Sequence, residues 1–349
     1  MRRLAPSLGH LLTMFQDKTI LVTGCAGFLG SWLSKTLVER GAKVIGLDRQ
    51  YKPESMIHDV KKDAELIDGS VEDLDLLLRI VKDRNIEFIF HLAAQSIVGI
   101  ANSNPLDTFK SNIEGTWNVL ETARQLGQTS DLKDRRLRGI ILASSDKAYG
   151  DQEVLPYIED APMQGRFPYD VSKSCADLIA KSYAISYKVP VCTTRCGNLF
   201  GAGDLNMSRI VPDTLWHVLR GQPVTIRSNG KPVRDYLYIK DAVNAYLTLA
   251  ERMWNDASVH GEAFNISNQA PMSVLDCVDK ILEVTGREDL KPIIQGTATR
   301  EIEEQFLDAT KISAMLGWKP QYDFKAGLQE TVGWYKELVK GKSDMASIS

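Results

Sequence analysis

Residues 19–30 read TILVTGCAGFLG, and this stretch decides the fold. Its first five residues have the apolar, β-branched content of a buried strand, and Phe28–Arg40 follows with the pattern of a helix that Gly41 ends. The glycines between them have a GxxGxxG spacing, at Gly24, Gly27 and Gly30. Glycines placed in this way permit a tight turn, a close approach of the backbone to a pyrophosphate and tight packing of helix on strand. The stretch therefore predicts a dinucleotide-binding loop.

The residues that follow indicate which dinucleotide is bound. Asp48 comes directly after the next predicted strand, Lys43–Leu47, and lies 18 residues beyond Gly30. A carboxylate at this place accepts hydrogen bonds from an adenosine ribose and repels the extra phosphate of NADP, so the sequence favours NAD. Arg49 could serve an NADP phosphate instead, and the sequence leaves that alternative open. The helix that starts at Phe28 and Leu29 supplies free amides and partial positive charge for the phosphates.

Short apolar runs alternate with helical patterns through the first half of the chain. Further strands are predicted at Glu65–Ile67, Phe88–Leu92, Ile140–Ser144 and Val189–Arg195, and helices at Leu74–Asp83, Pro105–Leu126, Pro168–Tyr187, Arg209–Arg220, Ile239–Arg252, Ser273–Thr285 and Phe324–Val339. Such alternation predicts an α/β fold, a doubly wound Rossmann parallel sheet with a smaller C-terminal α/β substrate lobe. We expect an N-terminal extension at 1–16, an NAD-binding domain at 17–200 and a mainly substrate-binding lobe at 201–349, with some later segments returning to the first domain.

Composition excludes several classes of protein. Lys plus Arg number 42 against 45 Asp plus Glu, a balance that gives no electrostatic grip on nucleic acid or on a membrane surface. The five cysteines are scattered without a CxxC pair, so no metal site is expected. No signal peptide and no apolar run of about 20 residues is visible, which predicts a cytoplasmic protein. Residues 128–138 are expected to be a charged surface insertion.

Tyr169 and Lys173 lie four residues apart at the start of a predicted helix, so both side chains project from one face. A neighbouring ammonium favours the phenolate, and we therefore expect the pKa of this tyrosine to be lowered. Ser144 and Ser145 follow a predicted strand about 25 residues earlier. A serine, a tyrosine and a lysine that meet at the carboxyl edge of a dinucleotide-binding sheet can move a proton while hydride leaves a carbon.

With these features together, the sequence resembles the extended short-chain dehydrogenases, the NAD-dependent epimerase/dehydratase family. The resemblance runs from about Lys18 to Lys336, nearly the whole chain. The motifs that carry it are TGCAGFLG, HLAAQ (91–95), Asn112 with Gly115-Thr116, SSDKAYG (144–150), YDVSK (169–173), RCGNLFG (195–201) and VRDYLY (233–238).

The residues after the catalytic serine indicate the reaction within that family. Asp146 followed by Lys147 is similar to the CDP-glucose 4,6-dehydratases. The resemblance implies that Tyr169, with Ser145 and Lys173, oxidises carbon 4 of a nucleotide-linked hexose by hydride transfer to bound NAD. It further implies that Asp146 is the general acid for loss of water from carbon 6, and that Lys147, or a group that it orients, takes the carbon 5 proton. Hydride then returns, which gives a 4-keto-6-deoxy sugar.

The resemblance also implies the remaining site residues and a homodimer. The cofactor-binding residues are Gly24, Gly27, Phe28, Leu29, Gly30, Asp48, Arg49, Gly69, Ser70, Leu92, Ala93, Ala94, Gln95, Asn112, Ser144, Tyr169 and Lys173. The substrate-binding residues are Gln95, Ser145, Asn198, Arg209 and Arg234, the last of these at the pyrophosphate. The paired helices 105–126 and 168–187 are the expected dimer contact.

Two departures leave alternatives open. Ser70 stands where relatives carry a carboxylate near the adenine, and VRDYLY is closer to epimerases and dTDP-type dehydratases than to strict CDP-glucose enzymes. The nucleotide therefore stays open, with CDP-glucose favoured. The alternative function is a nucleotide-sugar 4-epimerase or reductase on the same scaffold, and a remote one is a non-enzymatic, dinucleotide-sensing Rossmann protein.

Overall fold

The computed structural model describes residues 14–127, 136–297 and 302–341. Its strands are β1 Thr19–Thr23, β2 Lys43–Asp48, β3 Ala64–Asp68, β4 Phe88–His91, β5 Gly139–Ala143, β6 Val191–Cys196, β7 Asn198–Phe200, β8 Thr225–Ile226, β9 Val233–Arg234, β10 Tyr236–Tyr238, β11 Ala263–Ile266, β12 Met272–Ser273, β13 Ile293–Ile294 and β14 Glu304–Gln305. Its α-helices are α1 Phe28–Glu39, α2 Leu74–Asp83, α3 Val98–Ser103, α4 Pro105–Phe109, α5 Gly115–Gln125, α6 Pro168–Tyr187, α7 Ile210–Leu219, α8 Ile239–Asn255, α9 Val274–Thr285, α10 Thr310–Leu316 and α11 Phe324–Gly341.

A seven-stranded parallel sheet organises the molecule, in the order β11-β6-β5-β4-β1-β2-β3. Its central strands are buried along nearly their whole length and are mostly apolar, because both faces of the sheet are covered. Helices α1 and α8 pack on one face, and α2, α5 and α6 pack on the other. The predicted doubly wound α/β fold is confirmed, and the strand order reverses between β1 and β4, where such sheets bind their ligands.

Elements that follow β6 in the chain form a second, smaller cluster. Helices α7, α9 and α11 enclose a second apolar core around Phe200, Tyr238 and Phe324. Strand β9 pairs with β12 and β14, and β10 pairs with β7. Strand β11, from the C-terminal half of the chain, is the edge strand of the main sheet beside β6. The C-terminal half thus contributes one strand to the main sheet. It also forms the smaller cluster of elements described above.

Most predicted elements are present, with ends that differ by a few residues. The single helix expected at 105–126 is instead α4 and α5 joined by a π-helical turn at Lys110–Glu114, and helix α3 was not predicted. Phe15 is fully buried, so the expected loose extension does not reach residue 16. Residues 1–13 of that extension and 128–135 of the expected insertion lie outside the described residues. In the part of the chain described, no helix has both the length and the apolar character of a membrane span.

The close contact of Gly30 with Gly24 makes a testable prediction about stability. A Cβ at Gly30 would overlap the Gly24 carbonyl oxygen and crowd the backbone of Cys25. We expect Gly30→Ala to lower the free energy of unfolding by about 1–3 kcal/mol, because the backbone must shift. Gly333→Ala is the matched control, since Gly333 also lies in a helix but its Cβ would meet nothing within 4 Å. The control should gain about 0.5–1 kcal/mol. Equal effects of the two substitutions in urea unfolding would contradict this account of the loop.

Candidate active site

The glycine-rich loop lies at the point where the strand order reverses. Gly24 follows β1 with a φ of 72°, and a Cβ there would lie 2.7 Å from the backbone nitrogen of Ala93, which follows β4. The backbones after these two strands therefore touch with no room for a side chain. Helix α1 starts directly after Gly27 and presents its first-turn amides at this edge of the sheet. A loop with this geometry can accept the pyrophosphate of a dinucleotide, and that role stays a prediction.

Asp48 ends β2 beside this loop. Its Oδ2 accepts a hydrogen bond from the backbone amide of Ala26 at 2.9 Å, and its Oδ1 accepts one from the amide of Arg49 at 2.8 Å. Burial raises the pKa of this carboxyl group, while the amides oppose the rise. The exposed Arg49 side chain forms an ion pair with Glu72 at 3.3 Å. A carboxylate thus faces the loop, and the neighbouring guanidinium is already engaged by an acid.

The other residues that are predicted to bind the cofactor lie directly after strands of the same sheet. Gly69 and Ser70 come directly after β3, where the Ser70 hydroxyl accepts a hydrogen bond from the Glu72 amide at 3.2 Å. Residues 92–95 follow β4, and Ser144 follows β5 with a buried hydroxyl that has no hydrogen-bond partner among the described residues. All of them lie at the carboxyl edge of the sheet. In each case the strand end, fixed by its parallel neighbours, sets the position.

Tyr169, Lys173, Ser145 and Asp146 meet at the same edge. The Lys173 Nζ donates to the Ala143 carbonyl oxygen at 2.8 Å and lies 6.0 Å from the centre of the Tyr169 ring. The Ser145 hydroxyl donates to Oδ1 of Asp146 at 2.9 Å. Asp146 is only 2% exposed, and its Oδ2 has no hydrogen-bond partner among the described residues. A buried carboxylate oxygen without a partner is costly, which makes it a strong candidate for contact with a ligand.

The expected lowering of the tyrosine pKa is wrong. Burial raises the pKa of Tyr169 to about 12, although the Ser145 hydroxyl and the positive charge of Arg209 act in the opposite direction. Burial also lowers the pKa of Lys173 to about 8, while Asp177 opposes that change. The sequence shows that an ammonium is nearby. It does not show that both groups are removed from water, and removal from water disfavours both charged forms.

Lys147 has a partner that the sequence did not predict. Its Nζ donates to Oε1 of Gln305 at 3.0 Å, although the two residues are 158 positions apart in the chain. Among the described residues, no ion pair joins Lys147 to the adjacent Asp146. The Lys147 side chain is partly buried at the junction between the main sheet and the segment around β14.

A buried polar network behind the glycine loop was also missed. His91 accepts at Nδ1 from the Thr23 hydroxyl at 2.8 Å, and its Nε2 lies 3.1 Å from the Thr116 hydroxyl. Because the Thr116 hydroxyl donates to the Asn112 carbonyl oxygen at 2.7 Å, it must accept from His91, which places the histidine proton on Nε2. Burial lowers the pKa of His91 to about 3, with Lys173 acting in the same direction. The histidine is therefore neutral and joins β1 to β4 and to the start of α5.

The side chain of Asn112 completes this network from the π-helical turn. Its Oδ1 accepts from the backbone amide of Gln95 at 2.6 Å, and its Nδ2 donates to the Gln95 carbonyl oxygen at 3.0 Å and to the Ser172 hydroxyl at 2.9 Å. The side-chain carbonyl of Gln95 in turn accepts from the amide of Ile97 at 2.9 Å. Asn112 thereby holds the segment after β4 against helix α6.

The predicted substrate-binding residues come from the elements beyond β6. Arg209, just before α7, donates to Asp204 at 3.0 Å and to the Leu199 carbonyl oxygen at 3.2 Å. Arg234, in β9, is buried and donates to backbone carbonyl oxygens, including that of Val233 at 2.8 Å. Asn198 begins β7, where its amide donates to the Asp235 carbonyl oxygen at 2.9 Å. Among the described residues, no group of three or more His, Cys, Asp or Glu side chains could hold a metal ion.

A family model described as GDP-mannose 4,6 dehydratase matches residues 21–331. The chain belongs to this family. Membership in the GDP-mannose 4,6 dehydratase family confirms the resemblance to the epimerase/dehydratase group that the motifs indicate.

Relatives of this family member cover nearly its whole length. The CDP-glucose 4,6-dehydratase of Salmonella typhimurium is 29% identical over 344 residues, which cover 94% of this chain and 93% of the relative. The dTDP-glucose 4,6-dehydratase of Haemophilus influenzae is 28% identical over 336 residues, which cover 90% and 97%.

Solved structures show the same fold as this family member. The UDP-glucose 4-epimerase of Thermotoga maritima, solved with UDP-glucose, is 29% identical with a TM-score of 0.83 and covers 92% of this chain and 99% of its own. The dTDP-glucose 4,6-dehydratase of Bacillus anthracis, solved in complex with NAD, is 25% identical with a TM-score of 0.79 and covers 92% and 97%. Both dehydratases and epimerases are therefore among the structural neighbours.

The buried neutral state of His91 predicts a pH dependence of stability. Between the ordinary pKa of histidine, about 6.5, and the folded value of about 3, the unfolded chain binds a proton that the folded chain does not. Stability should therefore fall as the pH decreases through this range, by as much as about 1.4 kcal/mol per pH unit from this group. His91→Gln should show a shallower acid slope in urea unfolding, and His58→Gln, made outside the network, should keep the full slope. Equal slopes for all three proteins would refute the assignment.

Proposed function

We propose that the protein is an NAD-dependent nucleotide-hexose 4,6-dehydratase, with CDP-glucose as the favoured substrate. The observation that carries the proposal is Asp146, a buried carboxyl group with one free oxygen beside Ser145 and Tyr169. Epimerisation at carbon 4 needs hydride and proton transfer at that carbon alone. Loss of water from a second carbon also needs an acid to protonate the departing hydroxyl. The names of the relatives, CDP-glucose and dTDP-glucose 4,6-dehydratases, support the same reaction.

The residues present fit NAD. The loop from Gly24 to Gly30 would hold the pyrophosphate, and the Asp48 carboxylate would accept the adenosine ribose hydroxyls while repelling the phosphate of NADP. When bound, NAD supplies a reversible acceptor for hydride. The solved Bacillus anthracis relative contains NAD, which supports the same cofactor here.

The catalytic residues divide proton transfer among three carbons. Tyr169 exchanges a proton with the hydroxyl on carbon 4. Burial raises the pKa of its phenol, and the Ser145 hydroxyl and the positive charge of Arg209 favour its phenolate form against that effect. The Ser145 hydroxyl holds the same substrate oxygen. The resulting ketone acidifies the proton on carbon 5, which passes to Lys147 or to a group that it orients. Asp146 gives its proton to the hydroxyl leaving carbon 6.

The second candidate function is nucleotide-sugar 4-epimerisation. One observation favours it, the likeness to the UDP-glucose 4-epimerase of Thermotoga maritima. An epimerase would use the same serine, tyrosine and lysine. It would not need Asp146 as a general acid, because no water is lost. The two functions differ in their products, since only the dehydratase removes water.

Substrate assays with an Asp146 variant test the proposal. With bound NAD and no added reductant, we expect a 4-keto-6-deoxy product from one of the CDP-, dTDP-, GDP- or UDP-hexoses, measured by NMR and mass spectrometry. Asp146→Asn should lower formation of this product by about 100-fold or more, because the general acid is removed. Asp151→Asn, an exposed position on the same loop, should keep wild-type activity, and both variants should bind NAD as wild type does. A carbon 4 epimer without dehydration would establish the second candidate function instead.

We further propose that the protein acts as a cytoplasmic homodimer whose substrate-binding lobe is formed mainly by residues 201–349. The cytoplasm is supported by the five cysteines, which are all free. A second copy of the chain is the partner we expect on the outer side of α4, α5 and α6. Exposed apolar side chains gather on these helices, with Leu106 62% exposed, Trp117 41%, Leu178 56% and Ile185 61%. The arginines before α7 and in β9 support the assignment of the lobe.

If the dimer forms through helix α6, new charges on the outer side of that helix should dissociate it. The double substitution Leu178→Glu and Ile185→Glu places two carboxylates seven residues apart on one helix face, which should dissociate the dimer because they cannot be buried unpaired. Size-exclusion chromatography with light scattering should show a monomer. Ile293→Glu is the matched control, an apolar side chain of similar exposure in β13, and should stay dimeric. A wild-type protein that is already monomeric at micromolar concentration would end the proposal.

A further inference from the structure

Gln305 is a buried polar residue that no motif identified. It lies in the short strand β14, where it is the register partner of Arg234 in β9. Its side chain is fully buried, yet it carries both a donor and an acceptor. A buried amide of this kind is costly unless both groups are satisfied, so its partners indicate what it holds.

Both partners belong to the segment that follows Ser145. The Gln305 Oε1 accepts from the Lys147 Nζ at 3.0 Å, and the Gln305 Nε2 donates to the Asp146 backbone carbonyl oxygen at 3.3 Å. Only this orientation of the amide satisfies both, because an ammonium donates only and a carbonyl oxygen accepts only. One side chain therefore binds the two residues assigned to the elimination step.

The segment that carries Gln305 is itself firmly held. The Leu307 amide donates to Oδ2 of Asp235 at 2.8 Å, and the Ser267 hydroxyl donates to the same oxygen at 2.8 Å. Asp235 is fully buried between β9 and β10. The pairing of β14 with β9 on one side and this carboxylate on the other fix the position of Gln305 relative to the sheet.

This contact decides where the Lys147 ammonium goes. Lys147 is adjacent to Asp146 in sequence and has a flexible side chain, and two carboxyl groups lie nearby. Burial raises the pKa of one of them, Asp170, and Lys147 is the strongest influence in the opposite direction. Nevertheless, the described ion pairs do not join Lys147 to either acid. Gln305 gives the ammonium a neutral acceptor, and Oδ2 of Asp146 keeps no partner.

We propose that Gln305 is a positioning residue that holds Lys147 away from Asp146, so that Asp146 stays free to protonate the departing hydroxyl. This inference rests on the proposed dehydratase function. Without Gln305, the Lys147 ammonium pairs with the free oxygen of Asp146, and that oxygen is then occupied and no longer reaches the departing hydroxyl. Because the Gln305 side chain is fully buried and both of its amide groups bond to this segment, we expect its loss to change turnover more than substrate binding.

The test is a cycle of variants assayed with bound NAD and the hexose nucleotide that the wild-type enzyme dehydrates. Gln305→Met removes both hydrogen bonds at similar volume and should lower kcat about tenfold or more while KM stays within about twofold. Gln305→Glu keeps an acceptor for Lys147 and should recover most of the lost kcat. Lys147→Met removes a residue assigned to the reaction, so its residual turnover is measured in single-turnover reactions with excess enzyme. In that background, Gln305→Met should cause no further loss, because its influence acts through Lys147. Circular dichroism and thermal unfolding check that each variant is folded.

The outcomes separate this inference from the proposed function. A wild-type enzyme that dehydrates no nucleotide hexose overturns the proposed function, and the role of Gln305 falls with it. A dehydrating wild-type enzyme with an unchanged kcat in Gln305→Met overturns the inference alone. If Gln305→Met lowers kcat equally with and without Lys147, or changes only KM, the role of Gln305 is merely structural. Either result overturns the inference as well. If Gln305→Met does not fold, failure of the folded Gln305→Glu to keep at least a third of the wild-type kcat overturns it.

Discussion

The backbone contact between the ends of β1 and β4 is the constraint on which the rest of the structure depends. Gly24 and Ala93 touch there without space for a side chain, and Gly30 packs its helix against the same turn. The strand order reverses at this contact, on the edge of the sheet where its parallel strands end and where such sheets bind ligands. The residues that follow these strands meet at this edge, so the glycine-rich loop and Ser145 lie there together with Tyr169 of helix α6.

Behind the glycine-rich loop, neutral side chains satisfy one another's hydrogen-bonding groups. His91 stays neutral between two threonine hydroxyls, and Asn112 holds the segment after β4 through a turn of π-helix. A neutral network suits this position because Lys173 lies close by, and a second cation would oppose the first. π-helical turns are often found at functional sites, where the extra residue changes the direction of the side chains.

At Tyr169 and Lys173, burial and nearby charges shift the pKa values in opposite directions. Burial raises the pKa of Tyr169 and lowers that of Lys173, which disfavours the charged form of each group, and nearby charges partly oppose both shifts. Lys147 donates to Gln305, and the described ion pairs do not join it to Asp146, its neighbour in the chain. The pKa values of Tyr169 and Lys173 therefore depend on surroundings drawn from distant parts of the chain, among them Arg209.

The sequence by itself determined the doubly wound fold, the glycine loop with Asp48, and the serine, tyrosine and lysine at the edge of the sheet. These features follow from local spacing and strand–helix alternation, and the family match agrees with them. Only the tertiary structure decided the partner of Lys147, the network of His91, the π-helical turn and the direction of the Tyr169 pKa. Each of these depends on burial or on contacts between residues that are far apart in the chain, and neither leaves a periodic pattern in the sequence.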